Sequence, residues 1–283
     1  MTNNAFTSSA GDKPPDATEQ RTAVRERYSR IATESSSCCE SSSCCGGTEP
    51  SSEAPSDQSR KIGYSDDDLA AVGSDANLGL GCGNPTAIAS LEQGDTVLDL
   101  GSGGGFDCLL AAREVGTAGC VIGVDMTPEM VETARENIET NNATNVEFRL
   151  GEIEHLPVAD ESVDVIISNC VVNLSPDKRQ VFREAYRVLR PGGRLGISDV
   201  VLTTELPADL RSDPASVAAC IGGAASIPAL ETMLTDVGFT DISIEPKADS
   251  EEFTRDWDNE RDLSDYVIAA VIEGEKSVLE TQP

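Results

Sequence analysis

Nine cysteines and a single histidine, His155, set the chemistry open to this 283-residue chain. Four of the thiols form two adjacent pairs in a serine-rich run: Cys38 with Cys39, and Cys44 with Cys45. Cys82, Cys170 and Cys220 stand beside glycine or small residues, in segments that read as loops or strand ends around a glycine-rich turn. Cys108 and Cys120 fall on apolar runs and read as packing. The common zinc spacings fail: no C-x2-C pair exists, and His155 has no partner histidine. Lone thiols gathered around a cofactor turn suit a soft, thiophilic substrate, and Cys82 reads as lying in an exposed glycine loop.

The turn itself is VLDLGSGGGFD (97–107), a strand running through glycines into a helix. Glycines let the backbone approach a ligand, and the helix N-terminus offers free N–H groups. Asp125 ends the following strand, placed to accept hydrogen bonds from both hydroxyls of a ribose. These two features alone do not separate a dinucleotide site from a nucleoside site. Three details do. The turn lacks the third glycine of G-x-G-x-x-G. Asp99 at the strand end disfavours pyrophosphate and suits an ammonium group. Met126 offers an apolar edge to an adenine. Together they point to S-adenosyl-L-methionine. The pattern D-x-G-S-G-x-G, the acid after strand two and the late Pro191-Gly192-Gly193 turn resemble the seven-stranded S-adenosylmethionine-dependent methyltransferases. GEIEHLP (151–157) resembles that family's adenine loop, with Glu152 and Ile153 as the contacting positions. The cofactor set is then Asp99, Gly101, Ser102, Gly103, Asp125, Met126, Glu152, Ile153 and, at the end of strand four, Asn169.

Three further segments narrow the resemblance. IGYSDDDLAAVGSDANLGLGCGNP (62–85), SNCVVNLSPDK (168–178) and the insert carrying Cys220 resemble the arsenite methyltransferases, over roughly residues 62 to 246. The resemblance implies that Cys82, Cys170 and Cys220 hold trivalent arsenic, the substrate, near the sulfonium. It also implies a further cysteine upstream that relays or reduces arsenic. Both Cys-Cys pairs are candidates, and Cys44 and Cys45 are assigned that role. Three thiolates bind a pyramidal arsenic and leave its lone pair outward, a nucleophile that needs no base, in keeping with the shortage of histidine. Arsenite detoxification follows, with methylarsenic and S-adenosylhomocysteine as products and a thiol reductant, thioredoxin or a small thiol, restoring the enzyme. The rival readings are a small-molecule C- or O-methyltransferase and a protein that sequesters arsenic or another metal through its thiol-rich tail.

The elements that position these residues alternate strand and helix. Strands are predicted at 96–100, 120–125, 146–150, 163–169, 194–201, 240–246 and 266–274, with helices opening at Pro128, at Ser175-Pro176 and at Ile227. The fold class is an open, doubly wound α/β sheet, Rossmann-like, seven-stranded and mostly parallel. Residues 1–60 read as a flexible Ser/Cys-rich tail, in which 21–32 has helical spacing with Val24, Tyr28 and Ile31 on one face and is able to dock as a short helix. Residues 61–200 read as the cofactor-binding core with the substrate loop, and 201–283 as the arsenic-binding insert and closing strands. Fifty acidic residues against 21 basic ones give a net charge of -29. That excludes nucleic acid and anionic membranes as partners and suits the salt-rich cytoplasm of a halophilic archaeon. With no leader or membrane span expected, the chain reads as a cytoplasmic monomer whose cysteines are reduced.

Overall fold

A computed structural model describes residues 14–36, 54–247, 250 and 262–278. Its strands are β1 (Thr96–Leu100), β2 (Cys120–Asp125), β3 (Val146–Leu150), β4 (Val163–Asn169), β5 (Leu189–Leu202), β6 (Ala225–Ser226), β7 (Phe239–Pro246) and β8 (Val267–Lys276). Its α-helices are α1 (Ala17–Ser36), α2 (Pro55–Lys61), α3 (Asp66–Ala71), α4 (Pro85–Ile88), α5 (Phe106–Val115), α6 (Pro128–Asn141), α7 (Lys178–Val188), α8 (Ala208–Ser212), α9 (Pro214–Ala218) and α10 (Ile227–Val237).

The sheet runs β3-β2-β1-β4-β5-β8-β7, parallel except for β8, which is antiparallel to both β5 and β7. Strand order reverses between β1 and β4, so their carboxyl ends open into the crevice where such sheets bind ligands. The central strands are apolar without alternation because helices cover both faces. Val181, Phe182 and Val188 of α7 with Leu230 and Leu234 of α10 pack on one face. Cys108, Ala111 and Val115 of α5 with Val131 and Ala134 of α6 pack on the other. A third cluster caps the crevice, and it unites Val24 of α1, Tyr64, Leu210 and Leu263 with Cys82, Cys170 and Cys220.

Five expectations change. The two-residue β6 pairs with β5 as a parallel addition to the seven-stranded spine. β5 begins at Leu189 and runs through Pro191-Gly192-Gly193, which the sequence reads as a helix stop. α7 starts at Lys178 because Asp177 caps it, accepting the Gln180 N–H, while the Ser175 hydroxyl is drawn away to Glu154. The docked helix that the spacing marks at 21–32 runs longer, over 17–36 within the stretch read as tail, and buries Val24 and Ala32. Cys120 is exposed, because it is the first residue of β2 and precedes the covered part of the strand, whereas Cys108 is buried. Cys38, Cys39, Cys44 and Cys45 lie outside the described residues. Among the described residues no helix is long and apolar enough to cross a membrane.

Candidate active site

The glycine turn is held under the sheet's edge by its own backbone. Gly101 and Ser102 donate their N–H groups to the Val124 carbonyl at 2.8 and 3.1 Å, which ties the turn to the end of β2. Gly103 adopts φ +50°, and a Cβ there would meet nothing within 4 Å, so its backbone faces open space. Asp125 accepts the Gly103 N–H at 3.0 Å through Oδ2 and the Thr127 N–H at 2.8 Å through Oδ1. Burial pushes its carboxyl upward, and those backbone donors pull it back. The turn forms one wall of a cavity that opens to solvent. Gly101, Ser102, Gly103, Asp125, Met126, Ile153, Asn169 and Cys170 all line it, as their sequence positions lead one to expect.

Two predicted cofactor residues do not line this cavity. The Asp99 carboxylate is buried behind the turn and accepts from the Cys108 thiol at 3.3 Å. Asp107, in the first turn of α5, takes its place at the cavity wall. Asp107 accepts from the Tyr64 hydroxyl at 2.6 Å, and burial pushes its carboxyl up to about 6. The Glu152 side chain turns away to pair with Arg21 and Arg25 of α1. Glu154 reaches the cavity instead, buried and held by Arg21 at 3.2 Å and by the Ser175 hydroxyl at 2.7 Å. His155 is exposed and does not line the cavity.

The helical stretch read at 21–32 belongs to α1, but its place at the cavity wall, where it supplies Arg21, Val24 and Tyr28, was not foreseen. The Val24, Tyr28 and Ile31 spacing was a visible signal of a docked face. What it docks on was not visible.

The three predicted substrate thiols converge, with two corrections. Cys82 is fully buried, because the loop that carries it folds under Asn169 and Ser198. Cys82 and Cys170 are joined in a disulfide, against the expectation of reduced thiols. Their Cα atoms are 6.0 Å apart across 88 residues, within the roughly 4.4–6.8 Å that disulfides span. Cys170 sits at φ +56° on the residue after β4. The Cys220 thiol donates to the Cys170 carbonyl at 2.7 Å and accepts from the Tyr28 hydroxyl. Burial, then the nearby Asp199 carboxylate, push that thiol well up, so it is protonated at neutral pH.

Asp199 of β5, which the sequence did not flag, lies in this group. Its carboxylate and the sulfurs of Cys82 and Cys170 are all within 4.8 Å of one another. It accepts from the Val200 N–H at 2.8 Å and from the Asn173 side chain at 2.8 Å, and burial pushes it up to about 6.

Residues 91–256 match a family model described as a methyltransferase domain. An arsenite methyltransferase from Halobacterium salinarum is 55% identical over 94% of this chain and 68% of its own length. An arsenite methyltransferase from Aquipseudomonas alcaligenes is 46% identical over 57% of this chain, a match that spans 48% of that relative. Among solved structures, an arsenic(III) S-adenosylmethionine methyltransferase from Chlamydomonas reinhardtii aligns at 34% identity. That alignment has a TM-score of 0.58 and covers 82% of this chain and 75% of the other.

Proposed function

The chain belongs to the arsenite methyltransferase family, and from that premise we propose that it transfers the methyl group of S-adenosyl-L-methionine to trivalent arsenic held by Cys82, Cys170 and Cys220. One observation carries the reading: Cys170 lines the same cavity as the glycine turn and Asp125, with Cys82 on its sulfur and Cys220 on its carbonyl.

The residues present fit the donor. Open space at Gly103 accommodates a ligand against the backbone, and Asp125 at the strand end is the acceptor for ribose hydroxyls. Asp107 meets the ammonium group, in the role the sequence gives to Asp99. Met126 and Ile153 flank the base. When bound, the donor supplies an electrophilic methyl on a sulfonium. The chain's own contribution is to hold and orient. The disulfide must first be opened, two electrons coming from a thiol reductant of thioredoxin or small-thiol type that leaves as its own disulfide. Each cysteine thiol then displaces one hydroxyl of arsenite, its proton leaving with that hydroxyl as water. Because the Cys220 proton departs in this way, no general base has to remove it beforehand. The bound sulfurs fix the arsenic lone pair beside the donor cavity, and the α1 residues Arg21, Val24 and Tyr28 help to enclose it. Formal oxidation of arsenic by methylation is reversed by two thiols closing into a disulfide, the state in which Cys82 and Cys170 stand. Cys44 and Cys45 are the candidates for relaying arsenic or electrons. The cell compartment that fits is the cytoplasm, the working unit a monomer, and the outcome arsenic detoxification.

Incubation with arsenite, S-adenosyl-L-methionine and a thiol reductant, followed by arsenic speciation by mass spectrometry, tests the proposal. Methylarsenic and S-adenosylhomocysteine should appear together in the wild type. Their absence with the reductant present sinks it.

A further inference from the structure

We propose that, with its disulfide reduced, the protein also binds a soft divalent cation of the zinc and cadmium class on Cys82, Cys170 and Asp199. This site shares two sulfurs with the arsenic site and takes a different third ligand. The arsenic half of the comparison rests on the proposed function, while the cation half does not.

The donor set is gathered and buried. Two sulfurs and a carboxylate oxygen lie within 4.8 Å of one another, and all three residues are buried. A tetrahedral site with metal–sulfur bonds of about 2.3 Å and metal–oxygen bonds of about 2.1 Å has ligand separations of roughly 3.5–3.8 Å, inside that limit. The carboxylate is fixed from behind. Asn173 donates to Asp199 through its backbone N–H at 3.2 Å and its side chain at 2.8 Å, and the Val200 N–H donates at 2.8 Å. Such outer hydrogen bonds orient a ligand and raise its affinity for metal. Lys178 interacts electrostatically with Asp199, offsetting the negative charge that two thiolates and a carboxylate leave around a dication. Cys170 faces the cavity, so a fourth position is open to water.

Ligand chemistry selects the ion. Two thiolates favour soft or borderline cations over magnesium or calcium, and a carboxylate completes the set for an ion with vacant orbitals. Trivalent arsenic, with its lone pair, takes a third sulfur instead, and Cys220 is there to give it. Binding releases two protons: the two thiols of the reduced pair become thiolates as the dication enters, and Asp199 enters already ionised. The occupied site excludes arsenite, so such a cation holds the protein silent.

The experiment uses the full chain with Cys38, Cys39, Cys44 and Cys45 changed to serine, so that tail thiols do not compete. The protein is reduced anaerobically and freed of reductant. Cadmium is titrated in, read by thiolate-to-cadmium ultraviolet absorption, and arsenite affinity is read by its displacement of cadmium. Asp199→Ala should shift the ratio of cadmium to arsenite affinity towards arsenite by about tenfold or more. Cys220→Ser should shift it the other way. Asp199→Asn, whose carbonyl still accepts from Asn173 and Val200, carries the same measurement if the alanine variant does not fold. A ratio that Asp199 variants leave unmoved, or simultaneous binding of both ions, overturns the proposal. Because no donor is present, a protein that makes no methylarsenic would still give the cadmium result.

Discussion

The Asn169 side-chain oxygen accepts the backbone N–H of Cys82 at 2.9 Å, across 87 residues of chain. Its amide nitrogen donates to the Gly83 carbonyl at 2.7 Å and to the Tyr64 hydroxyl at 3.0 Å. One carboxamide at the end of β4 thus holds the thiol loop against the donor cavity. Gly81 makes the approach feasible: it sits at φ +106°, and a Cβ there would lie 2.5 Å from the Asn169 nitrogen.

Asn169→Ala should therefore release the loop. We expect a loss of about 1–3 kcal/mol of stability in thermal or denaturant unfolding, since the Cys82 N–H loses its acceptor and the Gly83 carbonyl its donor. Arsenite affinity should fall further than donor affinity, measured by titration of the reduced protein. Gly81→Ala should shift both in the same direction. Equal losses for the two ligands would mean that the contact does not serve the thiols.

Asp125→Ala removes the carboxylate that anchors the turn and that we propose as the ribose acceptor. A charged hydrogen bond contributes about 1.5–3 kcal/mol, so the dissociation constant for S-adenosylhomocysteine should rise roughly 10- to 100-fold by calorimetry. Unchanged binding would show that the ribose lies elsewhere.

Asp107 gives a pH dependence with opposite signs for binding and stability. Its carboxyl is raised by burial to about 6. A cationic ammonium favours the ionised form, so donor affinity should fall as pH drops through about 6, and Asp107→Asn should flatten that profile. For folding, a raised carboxyl favours the native state at low pH. That contribution is fully present below about 4, the unfolded value, and is lost as pH rises through about 6. Asp107→Asn should accordingly weaken donor binding at pH values above about 6, while raising the melting temperature there. A variant that loses both together would point to a structural role alone.

Cys82→Ser, Cys170→Ser and Cys220→Ser should each weaken arsenite binding by about tenfold or more, because a hydroxyl is a poor ligand for a soft ion. Cys220→Ser should leave S-adenosylhomocysteine binding nearly intact, as Cys220 does not line the donor cavity. Tyr28→Phe, which removes the hydrogen bond to Cys220, should raise the KM for arsenite with a smaller effect on kcat. Arsenite binding that survives serine at Cys170 would favour a methyltransferase with another substrate.

Much of this protein is local and therefore readable in the chain. Strands β1, β2 and β4 fall on the segments their apolar runs mark, because helices cover both faces, and the edge strand β3 falls on its expected segment with Glu147 and Arg149 interrupting the apolar residues. The glycine turn and Asp125 follow from backbone demands within a few residues, and Cys82, Cys170 and Cys220 stand out by type. The choice among neighbouring carboxylates is different. Asp107 rather than Asp99 faces the cavity because Tyr64, 43 residues away, reaches it. Glu154 is held inward by Arg21, 133 residues away, while Glu152 is paired outward. The same holds for α1, whose helical spacing is plain but whose seat exists only once the crevice is built, and for Asp199, which becomes a neighbour of two sulfurs when β5 is laid beside β4. Sequence sets which groups are available and how each short segment folds. The direction a side chain takes depends on partners brought close by the sheet, and those the tertiary structure alone decides.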